Sequence, residues 1–114
     1  MPIPFLKKQL AEAQMAKFCK DRIPLEYQNE IKMSYRIRGQ SMTLYESRPA
    51  MFDKGEWHDM AIAQFRYSDE DGKWTLYCAD RNGKWHFYME CEASSNFQDL
   101  IDEVEKDPTC IFFG

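Results

Sequence analysis

The sequence predicts an α+β fold: an N-terminal helix, a five-stranded antiparallel meander, a C-terminal helix and a short final edge strand. Three observations carry this. Residues 5–22 and the stretch after Ser95 have helix-forming composition or spacing, and the residues between them turn to a period of two. Two dipeptides, Gly39-Gln40 and Asn82-Gly83, have the form of two-residue hairpin turns between alternating runs. A sheet with one apolar face needs a cover, and the two helices supply it.

The first helix begins after Pro4, which suits a first turn, and stops before Pro24, because the residue preceding a proline is pushed out of the helical region. Leu6, Leu10 and Ala13 form one stripe, while Met15, Phe18 and Cys19 lie on another side. A helix apolar on two sides is either buried twice within the monomer or meets a partner, such as the same helix in a homodimer.

From Ile31, apolar residues alternate with Lys32, Ser34, Arg36 and Arg38. A type II′ turn at Gly39-Gln40 sets Ile37 against Met42 and Tyr35 against Leu44 on the core face. Arg36 then faces Thr43, and Ser34 faces Tyr45, on the outer face. Residues 48–60 read as a connection of about a dozen residues, a length often associated with function. A third strand at 61–68 turns through Asp69-Glu70-Asp71-Gly72 into the Trp74 strand, placing Gln64 opposite Tyr77 and Arg66 opposite Thr75. A two-residue turn at Asn82-Gly83 pairs Cys78 with Phe87 on the core face, and Ala79 with His86 and Tyr77 with Tyr88 on the outer one. Ser95 through Gln98 fits a capping box, and Phe97, Leu100, Ile101 and Val104 follow at helical spacing. Residues 111–113 are too apolar to hang in water and are expected to return to the body.

At 114 residues the chain reads as one domain able to bury a core without staples. Four scattered cysteines with no Cys-x-x-Cys pair, and a start that does not read as a secretory signal, lead to the expectation of reduced thiols in a cytoplasmic protein. No stretch is long and apolar enough to span a membrane. A zinc site would require Cys78, Cys91, His58 and His86 to converge, and no cofactor motif is present. A net charge of −4 argues against a generalist nucleic-acid binder, although a basic face can exist within an acidic total.

With these elements laid out, the chain resembles an uncharacterised bacterial domain-of-unknown-function family. The resemblance rests on Phe18, Cys19 and Arg22 followed by Pro24, and on Leu44, Glu46, Arg48 and Pro49. It continues in the Trp74-Thr75-Leu76-Tyr77 run, in residues 80–85, and at the end of the chain from Asp107-Pro108-Thr109 to Gly114. The family pattern implies a small residue such as glycine where Cys110 stands. It implies a fold and no mechanism.

Enzyme signatures are absent: no nucleophile elbow, phosphate-binding glycine loop or His-Glu-x-x-His. The leading reading is a small non-catalytic binding or protein-interaction module that uses the outer sheet face or the 48–60 segment. On the outer face, Arg36, Tyr45, Gln64, Arg66, Tyr77, His86 and Tyr88 are candidate ligand-binding residues. Arginines interleaved with aromatics hold phosphates and stack bases in single-strand binders. The same residues also suit an ordinary solvated sheet face, where Thr and Tyr serve strand pairing. Glu46 falls on the core side opposite Met33, so it needs a partner such as Arg22 or Arg48. An enzyme built on Glu46 and a histidine is the least supported alternative.

Overall fold

In the computed structural model, which describes residues 3–50 and 55–113, two helices lie against one face of a five-stranded sheet. The elements are α1 (Phe5–Arg22), β1 (Lys32–Arg38), β2 (Ser41–Pro49), β3 (Trp57–Ser68), β4 (Lys73–Ala79), β5 (Trp85–Phe87) and α2 (Phe97–Lys106). A single 3-10 turn at Leu25–Tyr27 joins α1 to the sheet. The strands follow one another in spatial order β1-β2-β3-β4-β5, all antiparallel, which is the predicted meander.

The β1–β2 and β3–β4 registers are those read from the alternation. Ile37 pairs with Met42, Arg36 with Thr43, Tyr67 with Trp74 and Gln64 with Tyr77. Gly39 takes a φ of 60°, as the first position of a type II′ turn requires. Beneath the sheet, Phe97 of α2 sits between Trp74 and Phe65, with ring centroids 4.7 and 5.0 Å away, and Tyr67 meets Trp74 edge-on at 5.3 Å. Offset and edge-on rings of this kind add to the burial of their area. All four stripe residues of α2 are buried.

Five expectations are corrected. First, β3 begins at Trp57 rather than at residue 61. Residues 57–60 pair with residues 46–49, so the connection is shorter than the alternation implied. Part of that connection, residues 51–54, lies outside the described residues. A bulge follows at Leu44/Tyr45, where Leu44 pairs with Ala63 but Tyr45 with Ala61. The extra residue, Ile62, is buried, and the shift keeps both halves of a 12-residue strand in phase with β2.

Second, the β4–β5 hairpin is one residue out of the expected register: Tyr77 pairs with Phe87, Cys78 with His86 and Ala79 with Trp85. The cause is Asp80. Its carboxylate accepts the amides of Asn82 and Lys84 at 2.8 and 2.9 Å, and its backbone N–H donates to the Lys84 carbonyl at 2.8 Å. Gly83, at φ 79°, donates to the Asp80 carbonyl. The loop is therefore three residues closed by Asp80 and Lys84, a type I turn followed by a left-handed glycine. Such a slip reverses the facing of β5. Tyr88 is buried at 3% exposure, with its hydroxyl donating to Glu103, while Phe87 is 52% exposed.

Third, the N-cap of α2 is Asn96, whose side chain accepts the Gln98 amide at 3.2 Å, not Ser95. Fourth, residues 111–113 return to the body without forming a strand. The Asp107 carboxylate accepts the amides of Phe112 and Phe113, leaving no ladder to build, and Phe112 packs on Tyr88. Fifth, α1 is not buried twice. Ala11, Met15 and Phe18 face the core, while Leu6 is 77% and Leu10 59% exposed.

Candidate functional site

Both helices pack on the core face, so the opposite face of the sheet carries no cover among the described residues. Its side chains follow from the pairing. Lys32, Ser34, Arg36 and Arg38 come from β1, and Ser41, Thr43, Tyr45 and Ser47 from β2. β3 contributes Trp57, Asp59, Ala61, Gln64 and Arg66, β4 contributes Lys73, Thr75, Tyr77 and Ala79, and β5 contributes Trp85 and Phe87. Along the strands, this face presents five cationic side chains against the single carboxylate of Asp59. The whole chain carries a net charge of −4, so charge is segregated between the faces. The cleft between α1 and α2, of about 330 Å³, is lined instead by Asp21, Asp102 and Glu105 along with Lys17 and Arg22.

Five of the seven predicted ligand-binding residues share this outer face: Arg36, Tyr45, Gln64, Arg66 and Tyr77. Arg36, Thr43, Gln64, Tyr77 and Phe87 form one cross-strand row. Arg66 lies in the adjacent row, opposite Ser41 and Thr75. With neighbouring strands about 4.8 Å apart, the two arginines belong to one patch. His86 and Tyr88 are not part of it. The Asp80 turn sends Tyr88 into the core and leaves His86 beside Asp80, its Nε2 2.7 Å from the carboxylate.

The face is organised by cations resting on rings. Lys32 Nζ lies 4.0 Å from the Trp57 centroid, the Arg36 guanidinium 4.5 Å from Tyr45, and that of Arg66 3.8 Å from Tyr77. Hydrogen bonds fix the arginines further. Arg36 donates to Asp59 at 2.7 Å, Ser47 donates to the same carboxylate at 2.5 Å, and Arg66 Nε donates to Gln64 Oε1 at 2.7 Å. The Ser47 hydrogen bond first, and that of Arg36 second, hold the Asp59 carboxyl below the usual carboxylate range. Planar guanidiniums on aromatic faces keep their positive charge while losing freedom of movement, which preorganises them for an anion.

Above this surface the sheet forms a concavity of about 510 Å³. Arg36, Arg38 and Tyr45 stand on one side, Thr43 and Gln64 on its floor, and Trp85 on the other side. Sequence reasoning missed Trp85, Phe87 and Trp57. The first two were hidden by the register of the last hairpin, and Trp57 by the length of β3. Asp80, two residues before Asn82-Gly83, was the available signal for the hairpin, since aspartate there readily accepts turn amides.

The remaining candidates separate from this face. Glu46, with 15% of its side chain exposed, accepts from Arg48 Nε at 2.9 Å, the ion pair its position called for. His58 stands cross-strand from Arg48, while His86 lies on the far edge strand. Burial pushes the Cys19 thiol up to about 11, which leaves little thiolate at neutral pH. Burial likewise raises Cys78 and Cys91. Among the described residues no three His, Cys, Asp or Glu side chains gather where a metal could be held, and no helix is long and apolar enough to cross a membrane.

A family model described as a domain of unknown function, DUF3024, matches residues 3–114. No curated protein and no solved structure matches the chain.

Proposed function

Because the chain belongs to that family of unknown function, we propose its role from the geometry of the open sheet face: a cytoplasmic, non-catalytic module that binds single-stranded nucleic acid there. The observation carrying this reading is the segregation of five cations, three of them seated on rings, onto one sheet face that no described residue covers in an acidic protein. Phosphates are attracted by the cations, and unpaired bases stack on aromatic rings whatever their sequence.

Anisotropy titration of a labelled single-stranded oligonucleotide at several salt concentrations tests it. Four phosphate contacts give a slope of about −3 in log affinity against log salt, or roughly a 50-fold loss over a fourfold rise in salt. Replacing Arg36 and Arg66 together by alanine flattens that slope by about 1.4 and weakens binding, with the unfolding free energy unchanged within about 1 kcal/mol. Asp59→Asn acts in the opposite direction. It removes the only carboxylate on the strands of this face and releases Arg36, so affinity rises and the slope steepens by about 0.7. Absence of binding at low salt removes the reading.

The exposed Leu6 and Leu10 stripe of α1 supports a second, compatible reading, a homodimer through that helix. Native mass spectrometry tests it. A dimer lost in the Leu6→Glu, Leu10→Glu double variant supports the interface, and a monomer at micromolar concentration dismisses it.

A further inference from the structure

The open face is not uniform. The rings of Trp57, Tyr45 and Tyr77 are each covered by a cation of the protein itself. Trp85 is different. It is half-buried, lines the concavity, and among the described residues carries no cation and no ring stacked on it. Its cross-strand partner is Ala79, and Ala61, the outer-face residue that pairs with Tyr45, is as small. Two alanines leave room above the sheet for an indole to reach from the edge strand toward β2. Larger side chains at these positions would hold it away.

The groups opposite complete a site. Arg38 forms no ion pair or hydrogen bond among the described residues, in contrast to Arg36 and Arg66, and it lines the same concavity. On the floor, Gln64 donates one N–H to Thr43 Oγ1 at 3.1 Å and accepts from Arg66 through its oxygen. One amide N–H of Gln64 and the hydroxyl proton of Thr43 remain uncommitted. The cavity therefore offers an apolar ring, an unpaired guanidinium and two polar hydrogens. Its volume of about 510 Å³ falls within the roughly 300–1,000 Å³ of small-ligand sites.

Building on the single-strand reading, we propose that Trp85 and Arg38 bound a subsite for one unpaired base and its phosphate. The base stacks on the Trp85 indole, its edge meets Gln64 and Thr43, and the phosphate meets Arg38. A carboxylate-rich peptide would satisfy Arg38 but would leave the indole face and the floor without a flat partner.

Fluorescence separates these cases. The Trp57→Phe variant keeps Trp85 and the buried Trp74 as its emitters. Titration with a short single-stranded oligonucleotide is expected to quench the Trp85 emission, whereas inorganic polyphosphate, an anion without bases, binds the face without quenching. Trp85→Ala weakens oligonucleotide binding roughly tenfold, on the scale of one stacked base, and leaves polyphosphate affinity unchanged. Arg38→Ala keeps the quenching amplitude and reduces the salt slope by about 0.7. Equal oligonucleotide affinity in Trp85→Ala and the unaltered protein overturns the subsite while leaving the basic-face reading in place. Poly-glutamate binding as tightly as the oligonucleotide, with the same loss in Trp85→Ala, overturns it in favour of an acidic peptide. Failure of the unaltered protein to bind either polyanion overturns both readings together.

Discussion

The hairpins at the two ends of the sheet are built by different means. Between β1 and β2, two residues turn the chain, the left-handed Gly39 supplies the bend, and the register follows from the backbone. Between β4 and β5, a side chain takes over. The Asp80 carboxylate accepts two loop amides and contacts His86, and the chain closes on a three-residue loop although Asn82-Gly83 would suit a two-residue turn. A turn-forming dipeptide thus sets a register only where no neighbouring acceptor competes for its amides. One residue of difference decides that Tyr88, just past β5, enters the core while Phe87 faces the open side of the sheet.

The largest effect is expected at the two residues whose facings the loop decides. Tyr88→Ala is expected to cost about 3–4 kcal/mol in chemical denaturation, because it empties a buried site against Phe112 and removes the bond to Glu103. Phe87→Ala costs less than about 1 kcal/mol, since Phe87 is half-exposed and its ring meets only Tyr77 edge-on at 6.0 Å among the described rings. Tyr88→Phe, which keeps the ring, costs about 1 kcal/mol. The opposite order, a costly Phe87 and a tolerant Tyr88, would mean that the chain adopts the two-residue turn.

Much of this architecture was legible because the signals were local and repeated. Period-two alternation over 31–45 and 64–77 located four strands and two registers, and the stripe of Phe97, Leu100, Ile101 and Val104 located α2. Arg36, Tyr45, Gln64, Arg66 and Tyr77 came together because their registers came together. What was not legible depended on side chains reaching across the chain. Asp80 and Asp107 each collect backbone amides, and each replaces a regular element with a tighter one. The extension of β3 back to Trp57 was hidden for another reason: the bulge at Ile62 reverses the alternation within one strand, so residues 57–60 read out of phase with 63–68. The concavity beside Trp85 depends on both features, and no window of sequence contains them together.

Smaller effects are expected at the turns themselves. Gly39→Ala and Gly83→Ala each place a Cβ on a left-handed residue with no atom within 4 Å, so each cost is that of the backbone alone, about 1 kcal/mol. Equal losses in thermal denaturation would show that both hairpins need their glycine, whichever group sets the register. Cys110 provides the converse. It holds φ at 59° without being glycine. Cys110→Gly is expected to raise stability by about 1 kcal/mol.

The finest test uses acid, because among the described hydrogen bonds only the second hairpin rests its turn amides on a carboxylate, whereas Gln40 of the first meets Asp69 through its side chain alone. The His86 hydrogen bond first, then the Lys84 and Asn82 amides, hold the Asp80 carboxyl below its usual value. Its folded pKa is therefore lower than its unfolded one. The contribution to stability is fully present above the unfolded value of about 3.9 and is lost as pH falls through the folded value. In an NMR titration the amides of Asn82 and Lys84 should shift together in that acid range, losing their acceptor as the carboxylate is protonated. The Gly39 amide has no carboxylate acceptor among the described hydrogen bonds and should shift less than either. Asp80→Asn keeps an oxygen acceptor but cannot titrate, so the acid shift should vanish while the hairpin persists. If the shift survived in Asp80→Asn, another acid would be setting the register, and the contrast between the two hairpins would have to be rebuilt on that group.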